Sequence, residues 1–425
     1  RALDAPVAFD IVMDATRTSG IQTASVTLDV GEGLILTDGE ARAMRGARFS
    51  ASFDPVRSVL TVHEGHVDSE LMQLDMTGEV TDLGGYVGAL PMRGHFRLDI
   101  GEGFVDIGPV FEVNLQWESL LAEGELRLDE FAADLTRLTV NISGITAELT
   151  GATRLEQRPS GLWLPHLQLN GPINGDVQPE TVLAYWPVEL ADSAREWVAE
   201  RILGGRFFNA HFDLDLLPSD IEREFMDDER LTLSFDFENA DVLYISTMTP
   251  LEAANGSAVL RGNAFEVELD SGRIGDIRLT EGFVDIPRLN PKGAVARYGG
   301  VAHGRASDIL GLIDQDPLYL VSDYGIDPQA VGGEGEMRFE IRRAMLTDVP
   351  PEDIPFFIDG AIENASLAVP GMPFSLTGGT VEISASQAGL EARGTAEIMD
   401  TPVAIRWHES FGLPEGEAST RIEMD

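Results

Sequence analysis

Leu231-Thr232-Leu233-Ser234-Phe235-Asp236-Phe237-Glu238 alternates apolar and polar side chains without a break. A period of two places Leu231, Leu233, Phe235 and Phe237 on one face of an extended strand and the polar residues on the other. A strand with one dry and one wet face favours antiparallel sheet, because parallel strands are covered on both sides and read as continuous apolar runs. The pattern recurs outward in both directions. Phe212, Leu214 and Leu216 alternate with Asp213 and Asp215, Phe265, Val267 and Leu269 with Glu266, Glu268 and Asp270, and Met337, Phe339 and Ile341 with Arg338, Glu340 and Arg342. Nearer the N-terminus, Phe96, Leu98 and Ile100 flank Arg97 and Asp99, and Val26, Leu28 and Val30 flank Thr27 and Asp29. About a dozen strands can be read in this way. Asn255-Gly256, Ser271-Gly272 and Gly378-Gly379 are read as turns between them.

Helical signals are few. Ser193 and Glu196 form a capping-box pattern. Ala194, Trp197, Val198 and Ile202 follow at helical spacing, and Gly204-Gly205 is read as the stop, so a helix is expected over Ser193–Leu203. Short helices are expected to open at Pro179 and to cover Ser307–Ile313. Pro218 to Glu229 reads as mixed structure. The strand-rich chain also repeats itself. Gly175, a short helix, Pro187, Gly204-Gly205 and the strand of Phe212 are matched by Gly304, a short helix, Pro317, Gly332-Gly333 and the strand of Met337. Glu238-Asn239-Ala240 is matched by Glu363-Asn364-Ala365. The expected organisation is an N-terminal segment over 1–174 and repeat units over 175–303 and 304–425, forming one elongated body that lengthens by adding units.

Composition limits the function. The chain has 425 residues, with 72 acidic and 30 basic side chains and a formal charge of −42. Its 43% hydrophobic content excludes disorder for most of its length. The charge excludes nucleic acid as the main partner, since phosphate backbones need a cationic surface. With no cysteine, disulfide frameworks, thiolate metal sites and cysteine nucleophiles are excluded. No apolar run approaches the roughly 18 residues of a membrane-spanning helix. The start at Arg1 is read as that of a segment cut from a longer protein.

Catalytic patterns are weak. His63 and His66 flank Glu64-Gly65 in what reads as a solvated hairpin turn, and the spacing lacks the HExxH logic of a zinc protease. Asp227-Asp228-Glu229 lacks the ligand spacing of a calcium loop. Gly31-Glu32-Gly33 and Gly101-Glu102-Gly103 lack the third glycine and the helix of a dinucleotide fingerprint, so they read as strand turns. We expect no enzyme activity, no metal and no cofactor.

The informative feature is the apolar stripe itself. If the strands share a sheet, their apolar faces merge into a wall too large to leave in water. The few helices are too small to cover it. Either the sheet folds on itself as a sandwich or barrel, or it curls into a gutter whose lining is covered by bound lipid. The candidate lining residues are Phe212, Leu214, Leu216, Leu231, Leu233, Phe235, Phe237, Phe265, Val267, Leu269, Met337, Phe339 and Ile341.

Tyr185-Trp186-Pro187, Leu190, Arg195, Trp197, Val198 and Gly204-Gly205, leading into Asn209-Ala210 and Phe212, resemble the signature of the AsmA-like superfamily, in particular its YhdP-type branch. Asn239-Ala240, Pro250-Leu251, Gly256, Phe283 to Pro287, Gly304, Ile309-Leu310 and Pro317-Leu318 continue the resemblance through about residues 170 to 425. The resemblance implies a mainly β fold, an elongated, curled antiparallel sheet forming a half-pipe groove. It implies a periplasmic region tethered to the inner membrane through an anchor missing from this segment. It also implies phospholipid or another acyl lipid as partner, with transport between inner and outer membranes and a possible outer-membrane partner. The alternative is a structural or interaction protein of the envelope with a self-packed β core. Within the signature, Tyr185, Trp186, Pro187, Arg195, Trp197, Gly204 and Gly205 are expected to be structural. Tyr185, Trp186 and Trp197 either gate the groove or, as the favoured expectation, anchor the helix to the sheet.

Overall fold

In the computed structural model, residues 2–16, 20–37, 40–84, 92–106, 112–159, 161–185, 192–223, 227–316, 319, 321–322, 327–346, 349–350, 353–368, 375–411 and 420–425 are described. Their 26 strands belong to one antiparallel sheet that does not close into a barrel. Four short helices accompany it. The chain divides into two compact units, Arg1–Arg195 with Phe208–Ser234, and Glu196–Phe207 with Phe235–Asp425.

The first unit contains β1 (Ala2–Asp4), β2 (Val7–Thr16), β3 (Gly20–Val30), β4 (Gly33–Thr37), β5 (Glu40–Asp54), β6 (Val59–Ser69), β7 (Met72–Gly84), β8 (Arg93–Ile100), β9 (Gly103–Val105), β10 (Leu115–Trp117), β11 (Ser119–Arg127), β12 (Ala132–Ile142), β13 (Ile145–Gln157) and β14 (Trp163–Asn174). Helix α1 (Pro179–Ala184) follows, then α2 (Asp192–Arg201), β15 (Ile202–Leu216), α3 (Pro218–Arg223) and β16 (Leu231–Val242), with α2, β15 and β16 contributing residues to both units. Most strands pair with their sequence neighbours. The long β5 pairs with β4 along its first half and with β3 along its second. Strand β8 passes over the short β9–β10 hairpin to pair with β11. Gly31-Glu32-Gly33 and Gly101-Glu102-Gly103, expected to be strand turns, are instead interruptions within continuing strands, since β3 and β4 run in one direction along β5 and β8 and β9 along β7.

The second unit is a meander of β17 (Leu251–Arg261), β18 (Ala264–Ile274), β19 (Ile277–Ile286), β20 (Val295–Arg305), β21 (Val331–Ala344), β22 (Phe356–Ala368), β23 (Ser375–Ser386), β24 (Gly389–Ile398), β25 (Thr401–Ser410) and β26 (Thr420–Met424). Helix α4 (Ala306–Ile313) interrupts it between β20 and β21.

The expected helices lie within two residues of their observed bounds. The expected turns need correction. Asn255-Gly256, Ser271-Gly272 and Gly378-Gly379 lie inside β17, β18 and β23. The ladders slip in register beside Asn255 and between Thr377 and Thr380, so these glycines mark bulged strand rather than chain reversal. Glycine in a strand interior signals a bulge or a close backbone approach as readily as a turn. His63 and His66 likewise sit within β6, whose pairing with β7 shifts between Val62 and Gly65. Gly204-Gly205 does not cap α2 but lies in β15. Gly205 has φ +124°, and a Cβ there would lie 2.7 Å from Ala240 Cα. Gly333 has φ +115° and makes the same approach to Ala365 Cα, at 3.1 Å. Asn239 and Asn364 take the left-handed conformation at φ 51° and 50°. The two copies of the motif therefore share a backbone device, a glycine on one strand fitted against an Asn-Ala bulge.

Candidate functional site

Residues directly opposite in an antiparallel ladder share a face, so the register of the ladders traces each face strand by strand. In the first unit one row runs Phe9, Leu28, Phe49, Gly65, Met76, Ile100, Leu120 and Val140. Beside it run Ile11, Val26, Ala51, Val62, Gly78, Leu98, Ala122, Leu138 and Leu149. A third row runs Met13, Ala24, Phe53, Leu60, Val80, Phe96, Gly124, Leu135, Gly151, Leu169 and Leu214. The slips between strands occur where one bulged residue restores the phase, so no row crosses to the polar face. Glycines recur opposite large side chains. Gly65 faces Met76, whose side chain would sit 2.6 Å from an added Cβ, and Gly78 faces Leu98 at 2.7 Å. Large side chains fold over these glycines and level the surface.

The apolar face is concave. A hollow of about 380 Å³ is bordered by Leu3, Ile35, Met44, Ala47, Val67, Met72 and Val105, which come from neighbouring strands β1, β4, β5, β6, β7 and β9. Six consecutive strands can border one hollow only if the sheet curls. A second hollow, of about 600 Å³, crosses β6, β7, β8, β11 and β12, and its lining is mostly of the polar face, including His63, Asp75, Thr77, Asp99, Thr139 and Asn141. Most side chains along the rows are half-buried, as expected of a single layer of sheet. At the edge strand β2 the face is open to solvent, and Phe9 is 73% exposed.

The opposite face carries charge. In the first unit Arg97 lies between Asp99 and Glu123, Arg48 bridges Asp29 and Glu64, and His166 meets Asp215 at 2.8 Å. Burial raises the Asp215 carboxyl, but hydrogen bonds from His166 and Gln168 outweigh it and hold the group below its ordinary value. In the second unit Glu340 accepts from Arg297 at 3.2 Å and from Arg342 at 2.7 Å, and these bonds lower its pKa. The Arg342 guanidinium in turn stacks over Phe357, 5.1 Å from the ring centre. His63 pairs with Ser52 and His66 with Asp75, on this polar face. Among the described residues no group of three His, Cys, Asp or Glu side chains is placed to hold a metal ion.

The expected lining residues fall on apolar faces as follows. In the first unit Leu214 and Leu216 sit opposite Leu169 and Leu167, and Phe212 opposite Gly171. Leu231 and Leu233 are half-buried on β16. In the second unit Phe235 and Phe237 pack with Phe207, Phe265, Val267 and Leu269 around Ala240, Ala254 and Ala258. Phe207 meets Phe235 edge to face at 5.4 Å. Phe237 is only 9% exposed. Met337, Phe339 and Ile341 oppose Ala302, Gly300 and Tyr298 on one side and Gly360, Ile358 and Phe356 on the other. The rows of the first unit, from Phe9 to Leu169, were not among the expected lining residues. Their signal was the same alternation, diluted by glycines and alanines that take apolar-face positions.

The signature residues divide. Arg195 donates to Leu183 O at 3.1 Å and pairs with Glu112 at 2.9 Å, tying the start of α2 to the end of α1. Tyr185 donates to Gln116 O. Trp186 and Pro187 lie outside the described residues. Trp197 is 42% exposed, so it is only partly withdrawn from water.

A burial-driven shift marks the apolar face of the second unit. Tyr244 packs against Ile274, Ile277, Leu279 and Ala302. Removal from water pushes its phenol up to about 12. Tyr298, in the row of Ile341, is raised for the same reason and donates to Met345 Sδ at 3.3 Å.

Against known proteins, a family model described as YhdP protein matches residues 57–424. No curated protein and no solved structure gives a significant match. No helix among the described residues is long and apolar enough to cross a membrane.

Proposed function

This chain belongs to the YhdP family, a family of AsmA-like envelope proteins, and from that premise we propose that it is a non-enzymatic lipid carrier. In this reading it lies in the periplasm, tethered to the inner membrane. Phospholipid tails lie on the concave apolar face while headgroups stay in water, and lipid moves between the inner and outer membranes. The observation that carries the reading is the unbroken register of apolar rows in the first unit, on a face whose side chains are mostly half-buried among the described residues.

The physics suits passage rather than storage. Burial of hydrocarbon is worth about 25 cal/mol per Å² and has no preferred direction. Neighbouring strands lie about 4.8 Å apart, so a tail moving across them meets near-equal sites at short intervals. Glycines opposite large side chains keep those sites level. The charge of −42 repels anionic surfaces and gives headgroups little to hold. Recognition is therefore of the chain.

A charge set in the middle of the rows tests this. Leu98→Glu places a carboxylate between Gly78 and Ala122. We expect it to slow transfer of a fluorescent phospholipid between vesicles by about ten-fold or more, because a charge on an apolar path is costly to desolvate. Gln73→Glu, on the polar face, is the control and leaves transfer unchanged. Equal transfer by both variants, with unchanged circular dichroism, contradicts the reading.

A further inference from the structure

Helix α4 occupies part of the apolar face in the second unit. It leaves β20 directly, since Arg305 ends the strand and Ala306 opens the helix. Its Ile309 and Leu312 pack against Ile274, Ile277, Leu279 and Ala302. Ala306 and Ile309 also pack with Met337 and Ile362. The fit is close, for a Cβ on Gly335 would lie 2.9 Å from Ile309 Cδ1. Met337, one of the residues expected to line a groove, is thereby left 6% exposed.

The register shows which part of the face this removes. On β19 to β22 the apolar positions form parallel rows two residues apart, about 7 Å. One row holds Ile277, Gly304, Gly335 and Ile362, and the next holds Leu279, Ala302, Met337 and Gly360. Both lie under α4. The rows of Phe339 with Ile358, and of Val284, Tyr298, Ile341 and Phe356, lie farther along the strands. Of these, Phe339 borders the cluster of Leu279 and Ala302, and Ile358 borders that of Ala306, Met337 and Ile362.

The helix is held at its far end as well. Asp314 Oδ1 accepts from the backbone N–H groups of Val321 and Ser322, at 3.1 and 2.7 Å. Gln315 accepts from the Thr249 N–H at 2.9 Å and donates to Thr249 Oγ1 at 3.0 Å, while Thr247 donates to Asp316 O at 2.7 Å. A helix joined without a linker at one end and bonded to the segment before β17 at the other is not built to swing.

We infer that α4 is a fixed side wall that takes the Leu279–Met337 and Ile277–Ile362 rows out of the lipid path and confines acyl chains in the second unit to the strip around Val284, Tyr298, Ile341 and Phe356. The inference rests on the acyl-chain function proposed for this chain and specifies where in this unit the chain lies. Ile309 and Leu312 are the positioning residues of the wall.

Photo-crosslinking of the intact chain tests it. The probe is a phosphatidylcholine with a diazirine at the tail end, irradiated with the protein, and adducts are mapped by peptide mass spectrometry. We expect adducts at Ile341, Tyr298, Val284 and Phe356. Yield at Met337 and Ile362 should be at least about ten-fold lower, as for a helix lifted in under a tenth of molecules. In Ile309→Ala/Leu312→Ala, adducts should spread to Met337. Comparable yields at Met337 and Ile341 in the unaltered chain overturn the wall. So do adducts confined to the first unit, which would leave the carrier function standing. No adducts anywhere overturn both. Should the double variant fail to fold, the map of the unaltered chain still decides.

Discussion

Phe237 and Trp197 are both large aromatics, yet their surroundings differ. Phe237 is 9% exposed among alanines and phenylalanines, whereas Trp197 is 42% exposed on α2. Phe237→Ala should cost about 3–5 kcal/mol, the range for a buried aromatic. Trp197→Ala should cost about 1–2 kcal/mol, because only part of its surface leaves water. Urea unfolding of the two variants checks the order, and equal losses would contradict it. Tyr244 gives a second test at this scale. Its phenol is neutral in the folded chain up to about pH 12, while in the unfolded chain it ionises near 10. The unfolded state thus releases a proton first, and Tyr244 favours folding below pH 10 and ceases to do so as pH rises towards 12. Ultraviolet titration should show late-ionising tyrosine, and Tyr244→Phe should reduce that phase and leave the part due to Tyr298.

At the scale of the element, strand glycines carry more of the fold than their size suggests. A Cβ at Gly256 of β17 would lie 2.0 Å from Glu268 O and 2.9 Å from Phe237 Cζ. A backbone oxygen cannot move aside without breaking the β17–β18 ladder. Gly256→Ala should therefore cost about 1–3 kcal/mol, the range for overpacking, whereas Gly311→Ala on α4 meets nothing within 4 Å and should be neutral or stabilising. Melting temperatures of the two variants separate these outcomes. The strands themselves were legible because Leu231 to Glu238 and its counterparts alternate so strictly. The bulges were not. Asn255-Gly256 reads as a turn from local chemistry, and only the partner strand's register reveals that the strand continues. Nor could the cover over Met337 be read, since α4 reaches it from another part of the chain. The short alternations interrupted by Gly65, Gly78 and Gly124 hid further strands for the same reason, as a missing side chain leaves no mark on a period of two.

Within each of its two units, the chain puts charged side chains on one face of the sheet and apolar ones on the other. The charge keeps such a surface soluble and apart from copies of itself. It does not cover the apolar rows, and at β2 they stand in solvent. Membership of the YhdP family sets this architecture in the envelope, where hydrocarbon tails are the abundant apolar solute. The most direct measurement is organic extraction of the purified protein followed by lipid mass spectrometry, with titration of the delipidated chain by a fluorescent fatty acid. Phospholipids of mixed headgroup should co-purify, and the fatty acid should bind until displaced by any diacyl lipid. A chain that yields no lipid and leaves the fatty acid unbound would contradict the account.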